Sequence, residues 1–441
     1  MRRRLFHPPG LALLVAAVPA CSVLEDYPEA TAGAFAAFRN GRFEEAARLY
    51  REREGALESD RFLSLAEAGT AWHAAGRLRR ASKLWLEALE VAQGFRDRPT
   101  ISGRGAVEGT LSMLLNDKTL PYDGEGFEIV LLHGLLAWDY LRLGRLDDAM
   151  VEVWRGYDAQ KLEEERYGTT YGMNRFARFV AAVVQEQDGA LDDAALDLRQ
   201  LRRELPGHPA VEASLERIRT LRGPEARDLL SRSELILVFE QETMPPKTSE
   251  DLVFGYGKTL VRITAPSYRR GPGPVRRLRL QVDDREAGAT ELIEDVYAVA
   301  RENLEDRVAW AVAKSAGRNL GRAVLIDRLG EEAGERHGDW AEFAVRLAGN
   351  LLNLALEQAD LRSWRTLPAN LQVLRVPVEA GRHSLDLELE GGGRLRYESV
   401  GFPAGRPVLL SVRSLRGRLY AHLSGAEELP DPTTTEAEFQ P

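Results

Sequence analysis

The chain has 441 residues with a formal net charge of -9, of which 44% are hydrophobic and 29% charged. At about 150 residues per domain, this length predicts two or three domains, each large enough for a hydrophobic core. The acidic balance, with basic side chains interspersed among acids beyond the first few residues, argues against nucleic acid as a partner.

The first 20 residues have the features of a secretory signal peptide. Arg2, Arg3 and Arg4 form a cationic start, residues 11–18 form an apolar run, and Ala20 is a small residue at the cleavage point. The apolar run is too short to span a membrane, which needs about 20 residues. Residues 1–20 are therefore predicted to be a cleaved signal and not a permanent span.

Cys21 follows the signal and is the only cysteine in the chain, which excludes an intramolecular disulfide. A nucleophile would need a base in a folded pocket, and a zinc site would need further ligands. The order Val18, Pro19, Ala20, Cys21 resembles the bacterial lipobox, which usually has Leu first and Ser or Ala second. The resemblance implies acylation of Cys21 and a lipid anchor on the periplasmic face of the outer membrane, because Ser22 and not Asp follows. An ordinary signal with an incidental cysteine is the alternative.

Four segments that follow share one pattern: a glycine, Phe or Leu two places on, and an alanine five places on. The glycines are Gly41, Gly76, Gly144 and Gly189, and the alanines are Ala46, Ala81, Ala149 and Ala194. The first two glycine intervals are 35 and 68 residues, the second being twice 34. This is the period of the tetratricopeptide repeat.

The pattern has a physical cause, because two closely packed antiparallel helices need small residues where they cross and a left-handed glycine where the first helix ends. Small residues precede each glycine by seven places and large apolar ones follow by nine: Ala34, Gly69, Ala137 and Ala182, then Tyr50, Trp85, Val153 and Leu198. Residues 21–225 are predicted to form a tetratricopeptide-like helical solenoid. The concave groove of such an array commonly binds peptides or proteins.

A polar turn interrupts the repeats between residues 116 and 128. Its candidate partner-binding residues are Asn116, Asp117, Tyr122, Asp123, Glu125 and Glu128. Loops on rigid scaffolds often carry function, but a solvated connector is an equal alternative. The carboxylates do not have the spacing of a calcium loop, so no metal site is predicted here.

The second half is predicted to mix strands and helices. Residues 230–362 contain apolar or alternating runs that indicate strands, followed by helical patterns from Thr290 to about Leu329 and from Trp340 to Ala359. Residues 363–425 contain four alternating runs, each ended by glycine, which indicate a small antiparallel β domain. Residues 426–441 are acidic and rich in Pro and Thr, which predicts a disordered tail. The fold class is α+β, an all-α solenoid followed by these mixed and antiparallel regions.

Known catalytic motifs are missing from the sequence. It contains neither HExxH nor G-x-S-x-G, and the histidines are scattered. His133 lies on a predicted repeat helix, where packing explains it better than catalysis. The sequence therefore predicts a protein that is not an enzyme and uses no cofactor.

Two blocks, residues 116–156 and 289–307, with residues 357–385 further on, resemble a family of proteobacterial lipoproteins with tetratricopeptide repeats and no established activity. The residues that mark the resemblance are Asn116, Asp117, Tyr122, Gly124, Glu128, His133, Trp364 and Pro368. It implies an envelope location, and genes of this family often lie near those of lipoproteins that look like activators of peptidoglycan synthases.

Three hypotheses for the function follow. The first is a scaffold in envelope or peptidoglycan assembly that binds a periplasmic or outer-membrane protein through the repeat groove and the 116–128 loop. The second is an accessory lipoprotein for export of a surface polymer or secreted protein. The third is an envelope hydrolase or transferase. The sequence leaves the oligomeric state open.

Overall fold

The computed structural model describes residues 27–53, 58–96, 121–167, 174–256, 259–268, 271–305, 360–427 and 433–435. Cys21 with its signal, the loop residues Asn116 and Asp117, and residues 306–359 of the two predicted C-terminal helices lie outside these ranges.

The first half of the chain is helical as far as it is described. The helices are α1 Tyr27–Ala30, α2 Ala32–Arg39, α3 Phe43–Arg53, α4 Arg61–Ala74, α5 Leu78–Arg96, α6 Gly126–Arg142, α7 Leu146–Tyr167, α8 Arg175–Asp188, α9 Leu191–Glu204, α10 Pro209–Leu221 and α11 Ala226–Ser231. Four consecutive pairs pack as helical hairpins: α2 with α3, α4 with α5, α6 with α7, and α8 with α9.

The turn of each hairpin has the predicted glycine geometry. Gly41, Gly76, Gly144 and Gly189 all have φ between 69° and 83°, the left-handed region that glycine adopts without steric cost. The four alanines of the pattern are fully buried where the paired helices cross. Trp85 packs against Gly69 of α4 so closely that a side chain does not fit there, because a Cβ at this position would lie 2.3 Å from the indole.

The second half supplies the strands. They are β1 Ser233–Gln241, β2 Thr248–Tyr256, β3 Thr259–Ser267, β4 Leu278–Val282, β5 Arg285–Ala289, β6 Glu291–Glu294, β7 Asn370–Val378, β8 Gly381–Leu389, β9 Arg394–Phe402, β10 Pro407–Leu415, β11 Arg418–Ser424 and β12 Thr433–Thr435. They form two five-stranded sheets, in the orders β11-β10-β1-β7-β6 and β12-β9-β8-β4-β5, and the hairpin β2-β3.

The strand pairing corrects the predicted organisation of the second half. Strand β1 lies between β7 and β10, and β4 pairs with β8, so both large sheets take strands from either side of residue 363. The pairing of β1 with β10 is parallel, so the first sheet is mixed and not antiparallel. Local alternation identifies strands but does not say which distant strand each will pair with.

The described elements form three layers. Ile236, Val238, Leu371 and Leu409 of the first sheet pack with the helices. Alternate residues such as Leu235 and Leu237 point the other way and pack against the second sheet. Strand β1 is therefore buried along its whole length, with helices on one face and a sheet on the other.

Two further predictions are corrected. Residues 291–294, for which the sequence predicts a helix, form strand β6, and helical structure begins at residue 296. The tail predicted to be disordered contributes β12, whose Thr433–Thr435 pairs with β9. Three β-branched threonines beside an unpaired strand edge favour this addition more than the acidic composition opposes it.

Candidate functional site

The residues of the predicted partner-binding loop that the structure describes are not an exposed loop. Tyr122, Glu125 and Glu128 are buried, and Asp123 is half-buried. The Tyr122 hydroxyl donates to Glu128 Oε2 at 2.8 Å, and Lys247 Nζ lies 2.6 Å from Glu125 Oε1. Glu125 and Glu128 also form the capping box that begins α6. Partner binding by this loop stays a prediction, and in this structure these three side chains are buried and bonded within the chain, with Glu125 joined to Lys247 of the second half.

Helices α4 and α6 bind the segment 360–369 of the same chain. Glu67 of α4 accepts the backbone N–H groups of Arg365 at 2.8 Å and Thr366 at 3.0 Å. Glu128 of α6 accepts the backbone N–H of Trp364 at 3.2 Å. The Trp364 indole N–H donates to Thr70 Oγ1 at 2.9 Å, and its ring is buried.

This segment and the first sheet cover the face through which the sequence predicts partner binding. Almost every residue of α4 and α6 is buried. Two carboxylates on these helices bind backbone N–H groups of the segment, and a hydroxyl binds the indole of its tryptophan. Residues of the same chain occupy this face of α4 and α6, so the face is covered in this structure.

A second set of buried charges joins the helices to the first sheet around His73 of α4. Its Nδ1 lies 2.9 Å from Asp139 Oδ1 of α6, and its Nε2 lies 2.6 Å from Glu240 Oε1 of β1. Burial by itself lowers the pKa of His73, but the two carboxylates outweigh burial and raise that pKa to about 9. Arg413 of β10 binds the other oxygen of Glu240 at 2.9 Å. His73 is therefore a charged link between two carboxylates.

A third set lies where α8 and α10 meet the sheet. Arg375 of β7 binds Glu186 of α8 at 2.6 Å and Glu234 of β1 at 2.8 Å. Arg217 of α10 binds the same Glu186 at 2.7 Å, and Ser214 accepts a hydrogen bond from Arg375. The two cations and two anions neutralise one another, which is the condition for burying charges.

These buried groups are the ones that sequence reasoning missed. Glu67 and His73 lie in the Ala-rich stretch 62–75, where an isolated charged side chain among apolar residues was the available signal. Glu234, Glu240, Arg375 and Arg413 lie at the polar positions of apolar strands. Glu240 and Arg375 bind side chains 167 and 189 residues away in the chain, and Glu67 binds backbone groups 298 and 299 residues away, so no local pattern could pair them.

The outer surface of the helical half carries an apolar stripe on α7. Six large hydrophobic side chains of the described residues are exposed, and Val151, Trp154 and Leu162 on α7 are three of them, at 46%, 55% and 59% exposure. Arg155 and Asp158 are exposed on the same side of the helix. We call Val151, Trp154, Arg155, Asp158 and Leu162 the α7 stripe. Scattered exposed apolar residues are ordinary, but a row on one helix face indicates an interaction surface.

The tryptophan of the stripe packs against Tyr157, which is itself fixed by hydrogen bonds. The Trp154 ring meets the Tyr157 ring edge to face, with centroids 5.7 Å apart. Tyr157 in turn donates a hydrogen bond to Asp197 of α9 and accepts one from Gln185 of α8. An exposed tryptophan on a fixed support loses little side-chain entropy on binding, which is typical of residues that dominate binding energy.

Neither a metal-binding cluster nor a membrane-spanning helix is found in the part of the chain that the structure describes. No group of three or more His, Cys, Asp or Glu side chains there is arranged to hold a metal ion. Every helix within the described ranges is too short or too polar to span a bilayer.

Comparison of the sequence with models of known protein families gives no match, and neither does comparison with curated proteins.

Proposed function

We propose that this protein is a non-enzymatic, membrane-anchored scaffold of the cell envelope, which binds protein partners through the outer surface of its helical half. The α7 stripe is the observation that carries the proposal, because it is exposed while the inner face is covered. The sequence predicts partner binding in the inner groove of the repeats. We place the binding surface on the opposite side of the helices instead.

Within this proposal, the four helical hairpins are tetratricopeptide-like repeats. Their support is the period of about 34 residues, the left-handed glycine in each turn and the buried alanine at each crossing. In such an array the second helix of each pair lies on the outside. The second helix α7 carries the stripe, and the next second helix, α9, adds the exposed side chain of Leu196.

The anchor and the location rest on the sequence. The signal and Cys21 support acylation and attachment to the periplasmic face of the outer membrane. A part in peptidoglycan or envelope assembly rests on the family resemblance. The proposal that the protein is not an enzyme rests on the missing catalytic motifs, and His73, Glu67 and Glu240, whose pKa values are shifted, are buried and bound to other groups of the chain.

A photo-crosslinking amino acid at position 151 tests the proposal in living cells. Position 275 is the matched control, because Val275 is exposed to 47% and Val151 to 46% but Val275 lies far along the chain in the second half. We expect a protein adduct from position 151 and none from position 275. The adduct should disappear in Trp154→Ala. Equal adducts at both positions, or none at 151, would contradict the proposal.

A further inference from the structure

We propose that the α7 stripe is the interface of a symmetric dimer, in which α7 packs antiparallel against α7 of a second copy of this chain. The inference deepens the proposed function and rests on it, because it names the occupant of the same surface. It is carried by the way apolar and charged residues are distributed along the helix.

The five residues of the stripe lie on one face of α7. Successive residues of an α-helix are rotated by about 100°, so positions 151, 154, 155, 158 and 162 fall within one face about 100° wide. The buried face of the same helix is formed by other residues, including Ala149, Val153 and Ala159. The stripe is thus separate from the face that packs within the chain, and it is continuous over three turns.

Two copies of the stripe in antiparallel orientation place complementary residues opposite each other. Val151 and Leu162 lie symmetrically about the bond between Gly156 and Tyr157, and Arg155 and Asp158 lie symmetrically about the same bond. A two-fold axis through this point places Val151 of each copy opposite Leu162 of the other. It places Arg155 of each copy opposite Asp158 of the other. One axis therefore satisfies both an apolar pair and an ion pair, each made twice, as an isologous interface requires.

The charges of the stripe are available for this pairing. Asp158 forms no ion pair with any residue that the structure describes, and Arg155 bonds only at its NH1 group, to Glu152 at 2.8 Å, in the ion pairs described. Trp154 lies close to the proposed axis, where the two indoles would be the most deeply buried side chains. Tryptophan and arginine are enriched among the interface residues that contribute most to binding energy.

Charge exchange tests the inference on the full-length chain, purified in detergent and studied by sedimentation velocity over a concentration series. Arg155→Asp opposes two pairs of acids across the interface, and Asp158→Arg opposes two pairs of bases. We expect each single substitution to raise the dimer dissociation constant roughly tenfold or more. The double variant Arg155→Asp/Asp158→Arg restores both ion pairs with reversed sign, so dimerisation should recover.

An apolar control accompanies the charge exchange. Val151→Glu should abolish the dimer, whereas Val275→Glu, at a position of nearly equal exposure, should leave it unchanged. Circular dichroism of every variant shows whether it is folded. Recovery of the dimer in the double variant, with the circular dichroism of all variants unchanged, distinguishes pairing between copies from an effect on the fold.

A wild-type chain that sediments as a monomer at every concentration, or a double variant no better than the single ones, would overturn the dimer. The proposed function fails separately. If position 151 crosslinks to a different envelope protein while the chain is monomeric, the scaffold proposal stands and the self-pairing does not. If position 151 gives no adduct of any kind, both are wrong.

Discussion

Both oxygens of the Glu67 carboxylate are used in hydrogen bonds within the fold. It is fully buried in α4, and its two oxygens accept two backbone N–H groups from the segment 360–369. Burial raises its pKa from 4.5 to about 7, although the hydrogen bonds from Thr366 and Arg365 oppose this shift. At neutral pH, Glu67 is therefore protonated in some molecules and ionised in others.

This pKa predicts how stability depends on pH. The folded protein holds the Glu67 proton more tightly than the unfolded chain, so the resulting stabilisation is full below pH 4.5 and is lost as the pH rises to about 7. Burial also raises the pKa of Glu128 and of Glu294 to about 7, so three groups contribute to this part of the curve. Glu67→Gln cannot titrate, so it should reduce the slope there by the Glu67 share while lowering stability overall through one lost hydrogen bond. Urea unfolding of both proteins at several pH values measures the difference. An unchanged slope in the variant would contradict the assignment.

Other buried groups act in neighbouring windows. The raised pKa of His73 contributes stability that is lost as the pH rises from 6.5 to about 9. Burial by itself raises the pKa of Glu240, but His73 and Arg413 lower it to about 2, so its contribution is lost only as the pH falls from 4.5 to about 2. Burial lowers the pKa of His422 to about 4, so its contribution is lost as the pH falls from 6.5 to about 4. Comparing the Glu67 variant with wild type cancels these background terms.

At the scale of the elements, the helical turns differ in what surrounds them. Gly76 and Gly144 have nearly the same φ, 69° and 70°. A Cβ at Gly76 would lie 2.6 Å from the ring of His422 on β11, whereas a Cβ at Gly144 would meet nothing within 4 Å. The turn of the second hairpin is therefore packed against the sheet, and that of the third is free on this side.

This contrast predicts two different costs for the same substitution. Gly144→Ala should lower the free energy of unfolding by about 1 to 2 kcal/mol, the cost of a left-handed residue with a Cβ. Gly76→Ala should lower it by a further 1 to 3 kcal/mol or so, because the ring of His422 must also move. Chemical unfolding of the two variants gives the comparison. Equal losses would mean that β11 does not press on the turn of the second hairpin.

At the scale of the whole molecule, the helical half and the sheets form one unit. Arg375 and His73 each bind a carboxylate from the other half, and both members of each pair are buried. Removing one partner of such a pair leaves an uncompensated charge and costs about 3 to 5 kcal/mol. The two halves are therefore expected to unfold together in one transition.

A shortened chain tests this dependence. A chain that ends at Arg232 keeps the eleven described helices of the first half but loses every described strand. It exposes the apolar faces of α4 and α6, and it leaves Glu67 without its partners and Glu186 without Arg375. We expect it to aggregate or to lose most of its helicity, as measured by circular dichroism and sedimentation. A chain that ends at residue 427 loses only β12 and the tail and should remain folded. A stable, fully helical short chain would show that the helices need no sheet.

The sequence by itself determined the local structure. The period of the glycines and alanines gave the helical hairpins and their left-handed turns, because helix crossing imposes the same small residues at each repeat. Alternation and glycine predicted seven of the strands between residues 233 and 424, which are β1, β3, β4 and β7 to β10, but they did not predict β2, β5, β6 or β11. The exposed stripe could also have been found, since Val151, Trp154 and Leu162 interrupt the polar side of an amphipathic helix.

Only the tertiary structure decided which surface remains exposed. The repeats indicated an inner groove for a partner, but the segment 360–369 and the first sheet cover that face, with Trp364 buried against Thr70. The pairing of β1 with β10 and of His73 with Glu240 joins residues 173 and 167 positions apart. Such pairs form because burial makes an unpaired charge or strand edge costly, and that cost depends on the whole fold and not on neighbours in the chain.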